Sequence, residues 1–197
     1  QSEGELVVVS RNSPTTYYLD KNGPTGFEYA LTRLLAEEMG VALRIKTAFN
    51  LNDLFTQLKH KEADIAAAGL TLTEGRAASY PHTIAYNQLT PQVIYVAGTF
   101  RPRSVSDLTT MNIVVLAESS HADTLHTLQK NQAPDLTWEE VDEADTMHLL
   151  ELLKLGKADI AIVDSNEFSV QQSLYPRQKV AFDLHEEQDM VWYLAPG

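Results

Sequence analysis

One segment of this chain occurs twice. Leu58-Lys59-x-x-x-Ala63-Asp64-Ile65-Ala66 returns as Leu153-Lys154-x-x-x-Ala158-Asp159-Ile160-Ala161, at an offset of 95 residues (159 minus 64), and Leu54 falls on Leu149 at the same spacing. Each copy runs from the end of a helical pattern into a short apolar strand. Each also closes a longer series of strand, helix, strand, helix and strand, which two similar lobes explain better than chance does.

The first series begins with the β-branched run at 6–9. A turn-rich stretch at 12–26 follows, with Pro14, Asn22-Gly23 and Pro24. Phe27, Leu31, Leu34, Leu35 and Met39 space a helix over 27–39, and Gly40 stops it. A strand at 41–45 leads to a helix capped by Asn50 or Asn52, with Leu51, Leu54, Phe55 and Leu58 on one face. The strand at 65–68 ends the series. In the second series a strand at 113–116 precedes a helix that starts at Ser119 or Ser120 and runs to about Lys130. A strand at 136–141 comes next, then a helix from Asp145 or Thr146 carrying Met147, Leu149, Leu150 and Leu153, and a last strand at 160–163.

The expected class is α/β: two lobes, each a mostly parallel sheet flanked by helices, as in a type II periplasmic-binding-protein-like fold. Residues 91–97 and 182–192 stand between or after the repeats and are the expected crossings of a two-crossing hinge. Lobe 1 is then 1–96 plus 186–197, and lobe 2 is 97–185. Right-handed crossovers bring the C-terminal strand ends of a lobe to one edge, where ligands bind. Two such edges facing one another make a cleft that closes by hinge motion.

Composition narrows the function. A net charge of −12 repels phosphate backbones and anionic lipid, so no nucleic-acid partner is expected. The absence of cysteine excludes disulfides, thiol catalysis and thiolate zinc. No apolar run approaches the roughly 18 residues of a membrane span. Gln1-Ser2-Glu3-Gly4-Glu5 has no leader character, so the chain is expected to be processed, trimmed or never exported. The six histidines have no metal spacing, and no cofactor, phosphate loop, nucleophile elbow or acid–base pair of carboxylates is found. No residue is assigned a catalytic role.

The candidate binding groups follow the strands. After 65–68 come Gly69, which permits close backbone approach, Thr71, with a hydroxyl and an N–H, and Thr73, which can cap a short helix holding Arg76. Arg76 either grips a carboxylate through two parallel hydrogen bonds or pairs with a surface acid. Ser119 and Ser120 open a helix whose positive end suits an anion, or Ser119 is simply a cap. Asp164 can receive an ammonium, or it caps the helix that follows. Tyr17, Tyr18 and Phe49 can wall an apolar side chain or merely cover a core.

Asn22-Gly23-x-x-Gly26-Phe27-Glu28, Ala63-Asp64-Ile65, Gly69-x-Thr71-x-Thr73-x-x-Arg76 and Ala158-Asp159-Ile160-Ala161-Ile162-Val163-Asp164 resemble family 3 of the periplasmic solute-binding proteins, the amino-acid-binding type. The resemblance implies that Arg76, Thr71 and the backbone near Gly69 hold a ligand carboxylate. Ser119 and Ser120 would touch it from the second lobe, and Asp164 would take the ammonium. Glu118 stands where this family usually has glycine, and the usual aromatic near Ser13 is absent, with Tyr17 or Tyr18 in its place. A narrower set, Phe100-Arg101-Pro102-Arg103-Ser104 with Asp107-Leu108, and Glu187-Gln188-x-x-x-Trp192, resembles the N-terminal regulatory module of the membrane-bound lytic transglycosylase F family. That resemblance implies a periplasmic, outer-membrane-associated parent protein with a peptidoglycan-cleaving domain after Gly197. The small-molecule ligand is then an amino acid or a cell-wall peptide. The alternatives are a stand-alone amino-acid receptor of an ABC transporter and an enzyme of the cyclohexadienyl dehydratase type, for which Glu118 is the candidate carboxylate.

Overall fold

The structure, a computed structural model, describes residues 4–13, 15–143 and 145–197. The N-terminal residues 1–3 and the turn residue Pro14 lie outside the described residues.

Two compact units divide the chain: residues up to Gln88 together with Gln188–Gly197, and Leu89–Glu187. In unit 1, β1 (Glu5–Ser10) leads through a small hairpin, β2 (Tyr18–Asp20) and β3 (Gly23–Thr25), to α1 (Phe27–Met39). Then follow β4 (Ala42–Thr47), α2 (Leu51–Lys59), β5 (Ile65–Thr71), α3 (Glu74–Ser79) and β6 (Asn87–Leu89). In unit 2 come β7 (Pro91–Val96), β8 (Ile113–Leu116), α4 (Ser120–Asn131), β9 (Glu139–Val141), α5 (Thr146–Lys154), β10 (Ile160–Asp164), α6 (Ser165–Gln171) and β11 (Gln178–Asp183). The last strand, β12 (Gln188–Leu194), returns to unit 1.

The sheets are built alike. The order β4-β1-β5-β12-β6 in unit 1 matches β9-β8-β10-β7-β11 in unit 2. In each, three strands are parallel (β1 with β4 and β5, β8 with β9 and β10). A further strand, β12 from the C-terminal segment in unit 1 and β7 from the start of unit 2, then joins antiparallel. The sheets are therefore mixed.

The same pairing corrects the expected boundary at 96/97. Residues 91–96 are not a connector: β7 is hydrogen-bonded between β10 and β11, and Val93 and Ile94 are wholly buried. The chain crosses between Gln88 and Leu89, and again between Glu187 and Gln188.

Each sheet buries both faces. On β1, Leu6 and Val8 pack with Ala36 of α1, while Val9 packs with Leu51, Leu54 and Leu58 of α2. Strands buried on both sides read as unbroken apolar runs, as the central strands do here. In unit 2, Ile113, Val115, Ile160 and Ile162 face Leu125 of α4, and Val114, Leu116, Ala161 and Val163 face Leu149, Leu150 and Leu153 of α5.

The repeated Ala-Asp-Ile segment has a structural cause. Asp64 accepts the Val7 N–H at 2.9 Å through Oδ2, while its own N–H donates to the Val7 carbonyl at 2.8 Å. Asp159 does the same at Asn112, with both bonds at 2.9 Å. Each aspartate thus clamps the start of its third parallel strand to the neighbouring central strand.

Helix α1 has the expected bounds, and Gly40 ends it in the left-handed conformation at φ 68°. Its buried face, however, is Glu28, Thr32 and Ala36, while Phe27 and Leu34 are 51% and 61% exposed. A helix lying on Ala67 and Gly69 of β5 turns its small and polar residues inward.

Candidate functional site

The C-terminal strand ends of unit 1 carry two arrangements of polar groups. The first surrounds Arg76. The Thr73 side chain caps α3 by accepting the Arg76 N–H at 3.2 Å. The Arg76 guanidinium donates through Nη1 to the buried Thr71 carbonyl at 3.1 Å and lies over the Phe55 ring at 4.9 Å. The Tyr193 hydroxyl donates to the same carbonyl at 2.8 Å and accepts the Thr73 N–H at 3.2 Å. Stacking and hydrogen bonding fix a half-buried guanidinium in place, the condition for recognising a planar anion. Thr71 contributes through its carbonyl, which positions Arg76.

The second surrounds Glu28. This carboxylate is 1% exposed, and accepts the Gly69 N–H at 3.2 Å, the Trp192 indole N–H at 2.6 Å and the Tyr86 hydroxyl. The buried Arg11 guanidinium donates through Nε to the Ala68 carbonyl at 2.8 Å and adds its charge. Burial pushes the Glu28 carboxyl above its ordinary range, opposed by the Tyr86, Trp192 and Gly69 hydrogen bonds and by the Arg11 charge. The Tyr86 hydroxyl is pushed upward by burial first and by the Glu28 charge second, so it stays a donor.

Gly69 belongs to this second arrangement. Its φ of +65° suits glycine, and a Cβ there would meet the Arg11 guanidinium at 3.4 Å and the Thr16 methyl at 3.5 Å. Its N–H, expected to help hold a ligand carboxylate, is committed to the protein's own carboxylate at Glu28.

Tyr17 and Tyr18 belong to the segment that follows β1 in unit 1. Tyr17 packs against Tyr29, with ring centroids 5.9 Å apart, in a groove of about 430 Å³ lined also by Pro24, Arg33, Leu43 and Ile45. Tyr18 sits on β2, paired with Thr25. Tyr17 directly follows Thr16, whose methyl lies against Gly69.

In unit 2, α4, α5 and α6 all begin where a parallel strand ends. Ser119 caps α4 by accepting the Ala122 N–H at 3.2 Å, and Ser120 is the first helical residue; both are buried. Asp145 caps α5, and Thr146 donates to the buried Glu167 of α6. Asp164 ends β10 and precedes α6 but makes no side-chain cap. Its Oδ1 is 2.6 Å from the Nε2 of His121, the second residue of α4, with both side chains buried. The local capping role for Asp164 is therefore not the one it plays. Glu118, beside Ser119, is exposed and holds φ 60°. A side chain in the left-handed region is strained, which accounts for glycine at this position in the resembling family.

Among the described residues no cluster of three or more histidine and acidic side chains could hold a metal ion, and no helix is long and apolar enough to cross a membrane. Neither Glu28 nor His121 stands out in the sequence as a site residue. The available signals were Glu28 in the first turn of a helix whose i, i+4, i+8 stripe is polar and small, and His121 immediately after Ser119-Ser120.

A two-lobed α/β chain with such strand-end groups has the build of a solute receptor. The chain belongs to the bacterial extracellular solute-binding proteins, family 3, which it matches over residues 6–137. It is 44% identical to the membrane-bound lytic murein transglycosylase F of Ectopseudomonas mendocina (strain ymp) over 198 aligned residues, which is 100% of this chain and 40% of that protein. With the protein of the same name from Saccharophagus degradans the identity is 40%, over 98% of this chain and 38% of that protein. The chain thus spans about two fifths of the length of these relatives. Among solved structures, it is similar to an ancestral arginine-binding protein bound to arginine, with TM-score 0.87, 19% identity, and coverage of 100% of this chain and 87% of the other. It is also similar to the Gly52Ala mutant of arginine-bound ArgBP from T. maritima, with TM-score 0.84, 20% identity, and coverage of 98% and 88%. These likenesses establish the two-lobed periplasmic-binding-protein fold.

Proposed function

We propose that this chain is the ligand-sensing regulatory domain of a membrane-bound peptidoglycan lytic transglycosylase, and that it binds an amino acid or a cell-wall-derived peptide without doing chemistry itself. The observation that carries this reading is the 44% identity over the whole chain to a lytic murein transglycosylase, in a chain whose residues 6–137 also match the solute-binding family. The anchor for the ligand carboxylate in unit 1 is Arg76, which the Thr71 carbonyl and Phe55 orient; the polar groups that unit 2 offers are Ser119 and Ser120 at the start of α4. The ammonium goes to Asp164. Cleavage of glycan resides in the remainder of the parent protein, at the periplasmic side of the outer membrane. Ligand binding signals to it only if the domain's conformations differ in ligand affinity.

The test is thermal unfolding of this chain against free amino acids and muropeptide stems. A ligand at a hundredfold excess over its Kd stabilises by about 2.7 kcal/mol. Arg76→Ala removes most of that gain and leaves the ligand-free midpoint close to the wild type's. Equal responses from wild type and Arg76→Ala remove Arg76 as the anchor. In the full-length protein, a ligand that stabilises the domain yet leaves the rate of peptidoglycan cleavage unchanged refutes regulation.

A further inference from the structure

His121 has a role that the binding reading does not yet use. Its Nε2–H points at Asp164 Oδ1 from 2.6 Å, inside a buried edge. That oxygen belongs to the carboxylate assigned to the ligand ammonium. The imidazole therefore supplies the N–H that an ammonium would supply. Its other nitrogen, Nδ1, is buried with no hydrogen-bond partner among the described residues. A buried polar atom without a partner is costly, and turning the ring out to water would relieve that cost. His121 is thus held in by one hydrogen bond and disfavoured by its second ring nitrogen. The helix starts at this edge carry the acids Glu118 before α4, Asp123 in its first turn, Asp145 at the start of α5 and Glu167 in α6, with His148 in the first turn of α5. The charge of the acids favours a cation at Asp164.

We propose that His121 is a specificity-determining residue that occupies the ammonium position on Asp164 and is displaced by ligand. The proposal rests on the reading of Asp164 as the ammonium site. An acylated amine offers the Asp164 carboxylate at most a neutral amide N–H. A free ammonium sets a full positive charge and several N–H donors against the same carboxylate. The site therefore admits amino acids and peptides with a free amine and refuses those whose amine is acylated.

The test is calorimetric titration of wild type, His121→Ala and His121→Gln with L-leucine and with N-acetyl-L-leucine. His121→Ala vacates the position and binds leucine roughly tenfold more tightly, while His121→Gln, whose amide still reaches Asp164, binds as the wild type does. Should His121→Ala fail to fold, His121→Asn, whose shorter amide stops short of Asp164, takes its place. N-acetyl-leucine is refused by the wild type. Leucine binding that His121→Ala leaves unchanged or weakens overturns the displacement alone, as does wild-type binding of N-acetyl-leucine on a par with leucine. Should neither the wild type nor the vacated variants bind leucine, the assignment of Asp164 as an ammonium site falls with it.

Discussion

Replacing Glu28 by glutamine isolates the cost of a buried charge. The side chain is 1% exposed and receives three donors, two at Oε1 and one at Oε2. Burial outweighs those donors, and the folded carboxyl is raised above its ordinary 4.5. A carboxyl raised by folding contributes stability below its unfolded value, and that contribution is lost as pH climbs through the folded value. Glutamine has no such dependence. In Glu28→Gln the amide oxygen can keep the Gly69 and Tyr86 donors, but the amide NH₂ then faces the Trp192 indole N–H, two donors 2.6 Å apart in the native spacing. That mismatch costs about 1–3 kcal/mol at any pH. The deficit of the variant is therefore largest near pH 4.5 and shrinks as pH rises, by at most about 1.4 kcal/mol per pH unit, until the wild-type carboxyl is ionised. Urea unfolding at half-unit pH steps, followed by tryptophan fluorescence and by far-UV circular dichroism, measures both stabilities. Wild-type and variant curves that run parallel from pH 4.5 upward would refute a raised carboxyl at this position.

Three further outcomes follow from the packing. Asp64→Ala removes a half-buried strand clamp and Asp159→Ala an exposed one, so the first variant loses about 1–2 kcal/mol and the second less than 1 kcal/mol in urea unfolding. Leu54→Ala and Leu149→Ala each empty a fully buried site at repeat-equivalent positions, and both lose about 2–5 kcal/mol; a loss under 1 kcal/mol in either denies that the two cores are equivalent. Glu118→Gly relieves a left-handed backbone, so the variant is as stable as the wild type or up to about 1 kcal/mol more stable, whereas a marked loss shows that the Glu118 side chain holds the turn.

The strands and helices of the repeats are legible in the sequence because burial on both sheet faces writes itself as apolar runs, and because Gly40, Asn50, Thr73, Ser119 and Asp145 mark helix ends by local chemistry. Residues 91–97 read as a connector for the opposite reason. Their strand character is local, but the sheet they join is set by β10 and β11, far along the chain. The buried polar groups are less legible still. The donors to Glu28 come from positions 41, 58 and 164 residues away, and His121 and Asp164 are 43 apart. No local pattern reports such partners. Yet the two contacts are one device used twice. Glu28 and His121 are each the second residue of the first long helix of their unit. Gly69 and Asp164 stand at the same place in the repeat, 95 residues apart (164 minus 69), near the end of the third parallel strand. In unit 1 the helix brings the carboxylate and the strand offers an N–H; in unit 2 the strand brings the carboxylate and the helix offers the N–H. The first arrangement surrounds its carboxylate with three internal donors. The second sets against its carboxylate an imidazole whose other nitrogen has no hydrogen-bond partner among the described residues. The fold presents the two carboxylates alike, so their partners, three donors at Glu28 and the His121 imidazole at Asp164, are what distinguish them in the proposal that Asp164 receives the ammonium.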